Sequence, residues 1–329
     1  MFDKVAAALA VTLPVFSLVA LGWWLRRRGL IDARQRRFLA DLVYWTSLPA
    51  LIILGIAGRR FSELLAPPVL AALLGGTALT LAAMLVLVRL CRLPPALRLP
   101  AVAVSFWANI SYLGFPIAEQ GWPADGRAVA GVMNAFGIAL FVLLGTVLLV
   151  LGRGYDDASR EPLWRKLIPA VVNPIVIAAL IGLAVAALAE IDTLRSAPQR
   201  SMLLGLALAT LVNLLQLLGG MGLGLALICV GAALEIERLR GDAWPIAVAV
   251  AGKLLLAPLA AFAILAWFFP ASAGAERGVP VVLMGMPTAV GGYVIASRLR
   301  RAEGFVGAVL VASTLASVLT TLGWLSLVL

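Results

Sequence analysis

The chain contains no histidine and only two cysteines among its 329 residues. Without histidine, imidazole metal sites, histidine proton relays and haem ligation by histidine are excluded. Cys91 and Cys229 lie far apart, in or beside apolar segments, so we interpret both as small packing residues. The sequence therefore predicts neither a disulfide nor a metal site, and it predicts no cofactor.

Charged residues are also scarce, at 13% of the chain, whereas 63% of the residues are hydrophobic and the mean hydropathy is +1.05. Soluble proteins are usually only about 45–50% apolar, so the composition predicts an all-α polytopic membrane protein whose surroundings are the lipid bilayer. The net charge of +10 comes from short basic clusters between apolar segments. Such clusters are typical of membrane-protein loops and do not indicate a nucleic-acid partner.

Ten apolar segments have roughly the 20 residues that a membrane span needs. We predict spans near 5–25, 38–57, 66–88, 99–119, 128–151, 168–189, 203–234, 243–268, 279–297 and 304–328. The seventh is long, so its beginning is expected at the interface or at a tilt. Basic residues concentrate in the loops after odd-numbered spans. The positive-inside rule then predicts that both termini lie on the outer side of the membrane, which is the periplasmic side for a protein of the bacterial inner (cytoplasmic) membrane.

The two halves of the chain show a weak internal repeat. Pro14 and Gly22 in the first span have the same spacing as Pro174 and Gly182 in the sixth. We predict a first five-helix repeat over 1–151, a cytoplasmic linker over 152–166 and a second repeat over 167–329. Because five is an odd number, the two repeats must insert with opposite orientations, as an inverted repeat.

Two spans in equivalent positions, the fourth and the ninth, carry proline and glycine in their middle. The first contains Asn109 to Pro116 and the second Gly285 to Tyr293. Lipid cannot satisfy a freed backbone group, so an interrupted helix must lie inside protein or beside a water-filled cavity. We predict breaks at Pro116 and Pro287, and a matched pair of such segments indicates the midplane site of a transporter.

Candidate substrate contacts surround these two prolines. Broken helices present N-terminal ends with free N–H groups and partial positive charge, which suit a carboxylate. Glycines permit the unwound backbone, and amide or hydroxyl side chains supply further hydrogen bonds. The predicted substrate-binding residues are Asn109, Ser111, Tyr112, Gly114, Pro116, Pro287, Thr288, Gly291 and Tyr293. The alternative is that the polar side chains only satisfy the freed backbone.

Lys253 lies deep in the eighth span, about ten residues from either end, or about 15 Å at 1.5 Å per residue. An ionisable residue at this depth is a functional candidate. Lys253 is interpreted as a fixed cation that replaces a coupling ion, or as a counter-charge for an anionic substrate. The structural alternative is a pair with a buried acid or with the C-terminal carbonyls of a broken helix.

Three further polar residues are candidates for lining the cavity. Asn134 lies in the fifth span, Asn173 precedes Pro174 in the sixth, and Glu119 follows Pro116 by less than one turn. For the two asparagines the alternative is a hydrogen bond between helices. For Glu119 it is a solvated helix end.

The chain resembles the auxin efflux carrier family, which includes plant PIN carriers and bacterial malate and malonate permease-like proteins. The matching motifs are Ser47-Leu-Pro49-Ala50, Asn109-x4-Gly114-x-Pro116, Asn173-Pro174 followed by Gly182, Lys253-x4-Pro258 and Met286-Pro287. The resemblance covers both halves. It implies a ten-helix fold of the sodium/proton antiporter type, in which helices 4 and 9 cross at their breaks. It also implies elevator-like transport of organic anions, a substrate site at Asn109 and the two prolines, and a homodimer. The long cytoplasmic loop of many plant members is missing here.

The sequence therefore predicts a secondary transporter or uniporter for a small organic anion, such as a dicarboxylate or an auxin-like acid. Three alternatives stay open. One is a cation-coupled symporter of the bile-acid type, which would be expected to have paired acids at the break. Another is a membrane sensor that binds without transport. The third, a membrane-embedded enzyme, is disfavoured because we find no nucleophile–base pair.

Overall fold

The computed structural model describes residues 17–57, 66–152, 174–188, 202–233 and 242–328 of the chain. Within these ranges the protein is helical, and we number the helices in chain order. They are α1 (17–27), α2 (Ala33–Leu42), α3 (Leu48–Ala57), α4 (Pro67–Leu90), α5 (Pro95–Phe106), α6 (Phe115–Gly121), α7 (Gly126–Leu151), α8 (Pro174–Leu188), α9 (Met202–Ala233), α10 (Ala243–Ala251), α11 (Ala257–Phe268), α12 (Gly274–Met284), α13 (Val290–Arg298) and α14 (Glu303–Val328). Wide π-helical turns at Val43–Ser47, Ile110–Gly114 and Gly252–Leu256 join α2 to α3, lead into α6, and join α10 to α11.

Six unbroken helical stretches in the described ranges are long and apolar enough to cross a membrane. They are Ala33–Ala57, Pro67–Leu90, Ala128–Leu151, Met202–Cys229, Ala243–Phe268 and Glu303–Val328. Each coincides with a predicted span. The predicted spans 5–25 and 168–189 lie partly outside the described residues. The predicted spans 99–119 and 279–297 are each divided into two shorter helices, because their middle leaves the helical conformation.

Each π-helical turn is followed at the second position by a proline: Pro49, Pro116 and Pro258. A proline has no backbone N–H and therefore removes one hydrogen bond from the helix that contains it. A wide turn closes instead through a bond to the fifth preceding residue, as from the N–H of Gly114 to the carbonyl of Asn109 at 3.1 Å. The chain continues as a helix past all three prolines.

The predicted break at Pro116 is therefore wrong in its position. The fourth span leaves the helix at Trp107–Asn109, and Pro116 lies in the first turn of α6. The predicted break at Pro287 is confirmed, because residues 285–289 between α12 and α13 are not helical. A proline in a membrane helix can thus be accommodated by a wide turn, and the irregular backbone lies elsewhere.

The two divided spans lie in the centre of the bundle. All residues from Pro100 to Phe106 of α5 are buried, as are all from Gly278 to Met284 of α12. Around them, α4 packs against α11, and α3 packs against α8. The side chains with the greatest exposure include Leu203, Leu206 and Leu217 of α9, which face outward as expected for a surface covered by lipid.

The start of α2 is fixed by a capping box. The Asp32 carboxylate accepts hydrogen bonds from the backbone N–H groups of Arg34 and Gln35 at 2.7 Å, and Gln35 Oε1 accepts one from the Asp32 N–H. The backbone hydrogen bond from Gln35 is the main reason that the pKa of Asp32 lies below its ordinary value. This cap orients the helix that carries Arg37 and Asp41.

Candidate functional site

The two interrupted segments meet and pair like a minimal antiparallel ribbon. The backbone N–H of Asn109 donates to the carbonyl of Pro287 at 2.9 Å, and the N–H of Ala289 donates to the carbonyl of Trp107 at 2.9 Å. Buried backbone groups that lack a partner are costly, and lipid cannot satisfy them. The two interruptions therefore stabilise each other across the centre of the molecule.

Two helices end at this junction, and each leaves carbonyl groups without a partner in the helix. At the end of α5, the carbonyl of Val104 accepts a hydrogen bond from Thr288 Oγ1 at 3.2 Å. At the end of α12, the carbonyl of Met284 accepts one from Lys253 Nζ at 2.5 Å. Thr288 is further fixed by its backbone N–H, which donates to Ser313 Oγ at 3.1 Å.

Lys253 is completely buried, as its position in the sequence predicts. It lies in the wide turn between α10 and α11, and its ammonium contacts the C-terminal carbonyl of a divided helix. This contact is one of the structural alternatives named above. It also places a positive charge where the helix dipole of α12 is negative, an arrangement that is electrostatically favourable.

A cavity of about 60 Å³ lies beside the junction. Its lining residues are Leu48, Leu51, Ile52, Trp107, Ala108, Asn109, Ile110, Ser111, Ile138, Phe141, Val142, Ala289, Val290 and Gly291. Asn109 and Ser111 supply the amide and hydroxyl groups, and the walls from α3 and α7 are apolar. Val290 and Gly291 form the first turn of α13, which has no side-chain cap, so helix N–H groups border the cavity.

The structure places three of the predicted polar residues together. Ser111 Oγ donates to Asn134 Oδ1 at 2.6 Å, which joins the wide turn before α6 to the middle of α7. Asn109 and Asn134 are buried, with 5% and 6% of their surface exposed. Asn109, Ser111 and Gly291 line the cavity, whereas Asn134 contacts it through Ser111. This hydrogen bond between helices is also the alternative interpretation of Asn134.

Other predicted residues lie apart from the cavity lining. Gly114 packs against Leu283 and Met286, where an added Cβ would lie 3.1 Å from Leu283 Cγ. Pro287 lines a separate space of about 10 Å³. Tyr293 is buried, and its hydroxyl lies 2.9 Å from Glu303 Oε1 and 3.2 Å from the carbonyl of Cys229. Glu119 is exposed on α6.

Three predicted residues are described only in part or not at all. Tyr112 and Pro116 are placed by their backbone, in the wide turn and in α6. Asn173 lies outside the described residues. Within the described ranges, no group of three or more Cys, Asp and Glu residues is arranged to hold a metal ion.

Trp107 is a central residue that the sequence did not indicate. Its carbonyl pairs with Ala289, and its ring packs against Gly145 of α7 and Gly292 of α13. An added Cβ at position 145 would lie 2.1 Å from Trp107 Cζ3, which is too close, so only glycine fits here without movement of the ring. A glycine in an apolar helix usually indicates close packing between helices. The sequence does not show that Gly145 makes room for the ring of Trp107, because the two residues are distant in the chain.

Comparison with known families identifies the chain. The profile described as "membrane transport protein" matches residues 8–150 and 158–325, which covers both halves. The chain belongs to this membrane transport protein family. The match confirms the resemblance to the auxin efflux carriers. Among proteins of curated function, none matches the sequence significantly.

Among solved structures, this membrane transport protein is similar to the sodium/proton antiporter MjNhaP1 from Methanocaldococcus jannaschii at pH 8. The TM-score is 0.63 at 13% sequence identity, and the alignment covers 98% of this chain and 97% of the antiporter. The likeness at this identity concerns the fold alone. Together, the family and the fold make the chain a multi-pass membrane transporter.

Proposed function

We propose that this transporter moves a small organic anion and holds its carboxylate in the cavity beside the two helix interruptions. The observation that carries the proposal is the juxtaposition of the uncapped first turn of α13 with Asn109 and Ser111 in one buried space. A helix N-terminus offers free N–H groups and partial positive charge to an anion. The Asn109 amide can donate a directed hydrogen bond to a carboxylate oxygen, and the Ser111 hydroxyl can do so once it turns away from Asn134 Oδ1, to which it donates here.

The remaining walls of the cavity favour an apolar body behind the carboxylate. Leu51, Ile138 and Phe141 face this space, and none of the lining residues that the structure describes is an arginine or a lysine. A second carboxylate would lack a partner there, and burying an unpaired charge is expensive. Within the class of organic anions, we therefore favour a monocarboxylate with an apolar or aromatic body over a dicarboxylate.

The size of the cavity indicates that transport requires movement. At about 60 Å³ it is much smaller than the roughly 300–1,000 Å³ that is usual for small-molecule sites. A whole substrate needs α3 to separate from the junction, since Leu48, Leu51 and Ile52 close one side of the cavity. Alternating access requires a movement of this kind, between α3 and the junction of the two interruptions. We propose that the movement is of the elevator type.

Lys253 supplies the fixed positive charge in this proposal. Its ammonium lies against the carbonyl end of α12, where the helix dipole is negative, so we propose that it replaces a coupling cation. Transport would then not require sodium at this position. Pro287, Thr288 and Gly114 are proposed to shape the junction, and Tyr112, Asn134, Pro116, Asn173, Glu119 and Tyr293 remain candidates for contacts made in other states.

The architecture that we propose around this site is the inverted repeat of two five-helix halves, 1–151 and 167–329, with the linker 152–166 in the cytoplasm. Ten spans then place both termini on the periplasmic side of a bacterial inner membrane. The divided fourth and ninth spans would cross at their interruptions, and two copies of the chain would form a homodimer. The similarity to an antiporter fold over 98% of the chain supports this arrangement.

Anion flux in proteoliposomes tests the proposal. Indole-3-acetate, short fatty acids, malate and malonate would be offered in turn, with and without sodium, and charge movement and isotope uptake would be recorded together. We expect saturable transport of an apolar monocarboxylate that does not require sodium. Asn109→Ala should abolish most of it, whereas Thr210→Val, an exposed change on α9, should not.

Two results would contradict the proposal. Transport that strictly requires sodium would favour a cation-coupled symporter of the bile-acid type. Binding of an anion without flux in either assay would favour a sensor. Preferred transport of malate would retain the organic anion but overturn the preference for an apolar body.

A further inference from the structure

A second cavity lies away from the interruptions, where the second half of α2 meets the end of α13. Its volume is about 370 Å³, which lies within the range of about 300–1,000 Å³ that is usual for small-molecule sites. Its lining residues are Arg37, Ala40, Asp41, Ser297, Arg298, Leu299 and Arg300. Both segments belong to the arginine-rich side, which we predict to be cytoplasmic.

The charge of this arginine cavity is positive and only partly compensated. Three arginines and one aspartate line it, so its formal charge is three minus one, or +2. Asp41 is already paired with Arg298. A phosphate group carries about −1.5 to −2 at neutral pH, so it would balance this charge closely.

Arg298 is held in place before any ligand binds. Its guanidinium lies 5.0 Å from the ring centre of Tyr44 and 5.2 Å from that of Trp45, in addition to its ion pair with Asp41. Its side chain is 34% exposed, so it can be reached from the cavity. A planar guanidinium fixed in this way suits the oxygens of a phosphate group, which arginine recognises through paired hydrogen bonds.

Ser297 provides an independent indication of a ligand. It is 1% exposed, it lines the cavity, and its hydroxyl has no hydrogen-bond partner among the residues that the structure describes. A buried hydroxyl normally has a partner, and each exception requires a reason. The hydroxyl oxygen is itself buried, and a phosphate oxygen that reached it would accept its proton.

The loop that follows α13 is strained next to this cavity. Arg300 and Ala302 have φ angles of 53° and 47°, in the left-handed region that residues other than glycine seldom adopt. Such conformations persist where surrounding contacts impose them, and they are frequent at sites that clamp a ligand. The left-handed backbone places Arg300 among the lining residues instead of continuing the helix.

We propose that the arginine cavity is a phosphate-binding site that joins α2 to the end of α13. The phosphate could belong to the headgroup of an anionic lipid or to a free phosphorylated molecule, and the recognition chemistry is the same for both. Because the two helices belong to different spans, an occupant would hold them together. The proposal is independent of the identity of the transported anion.

Binding measurements on the purified, delipidated transporter test this site. The probes are inorganic phosphate for the free source and dioctanoyl phosphatidylglycerol for the lipid source, and the dissociation constant is measured for each. Arg37→Gln with Arg300→Gln should raise the dissociation constant about tenfold, because two charge-assisted contacts are lost. Ser297→Ala, which leaves every charge in place, should raise it about threefold.

The matched control removes two arginines elsewhere on the same side. Arg34→Gln with Arg92→Gln lies outside the cavity, and Arg92 has a left-handed backbone like that of Arg300, with φ 54°. These changes should leave the dissociation constant within about twofold, because their exposed charges are screened by salt. Asp41→Asn should lower it about fivefold, because Arg298 loses its internal counter-ion.

The outcomes separate clearly. Binding of either probe that weakens in the cavity variants but not in the controls supports the site and identifies the source of the phosphate. Equal weakening in both pairs would indicate a general attraction to basic residues and overturn the proposal. Insensitivity to Ser297→Ala and Asp41→Asn would overturn it as well.

Discussion

The ends of α5 and α12 meet at the same junction but are satisfied in different ways. The carbonyl at the end of α5 receives a neutral hydroxyl from Thr288, whereas the carbonyl at the end of α12 receives the ammonium of Lys253. Two ends with the same orphan groups and the same partial negative charge thus differ by one full charge. Charge at this junction is therefore not needed to terminate a buried helix, and we hypothesise that Lys253 has a role beyond capping.

The largest expected effect follows from removing that charge. Lys253→Met keeps a long side chain, so we expect the thermal stability to stay equal or to rise, because a buried charge is costly. Transport should nevertheless fall about 100-fold, which corresponds to about 2.7 kcal/mol. Thermal unfolding and anion flux in the same preparation check this. Loss of stability in step with activity would make Lys253 purely structural.

The second largest effect is expected from disturbing Trp107, at the end of α5. Gly145→Ala forces the ring of Trp107 to move, since the new Cβ would lie 2.1 Å from it. Overpacking of this kind costs about 1–3 kcal/mol, and the backbone pair with Ala289 should be disturbed. We expect transport to fall about tenfold or more. Gly220→Ala, where no atom lies within 4 Å of the added Cβ, should match the parent protein in flux and in melting temperature.

A smaller effect is expected from the neutral cap. Thr288→Val removes the hydroxyl that bonds to the carbonyl of Val104 but keeps the shape and the backbone contact with Ser313. A lost hydrogen bond of about 1 kcal/mol predicts roughly a fivefold loss of transport. Thr288→Ser, which keeps the hydroxyl, should restore most of it. An equal loss in both variants would contradict the assignment of the effect to the hydroxyl.

The smallest effect is expected at Pro116. Pro116→Ala restores a backbone N–H in α6, but the non-helical backbone lies at 107–109 and is held by hydrogen bonds to Pro287 and Ala289. We therefore expect less than about a threefold change in transport. Pro287→Ala, within the second interruption, should have a clearly larger effect in the same flux assay. Equal losses of transport in the two variants would indicate that Pro116 is as important for function as the interruption at Pro287.

Much of this molecule could be predicted from its sequence. The membrane class follows from composition, and the burial of Lys253 follows from its distance to either end of a span. The pairing of two interrupted spans follows from their matching places in the two halves. These features depend on the bilayer as a solvent and on local chemistry, both of which a single sequence contains.

The position of the first interruption could not be predicted in the same way. Trp107, Ala108 and Asn109 contain neither proline nor glycine, and the weak preference of Asn109 for caps and turns is too small to break a helix by itself. They are extended because Pro287 and Ala289, far away in the chain, offer hydrogen bonds to them. The arginine cavity was missed for a similar reason, because its arginines were interpreted as signals of membrane orientation.

The three wide turns carry a consequence for how this fold tolerates change. Each contains one residue more than a regular turn, so everything after it is rotated by about 100° relative to an unbroken α-helix. A proline two residues later keeps the extra residue from migrating along the helix. Deleting a single residue from 252–256 would rotate the helix Ala257–Phe268 about its axis, so that different side chains would face the protein interior. The packing of these helices therefore depends on the exact number of residues in the wide turn as well as on the side chains.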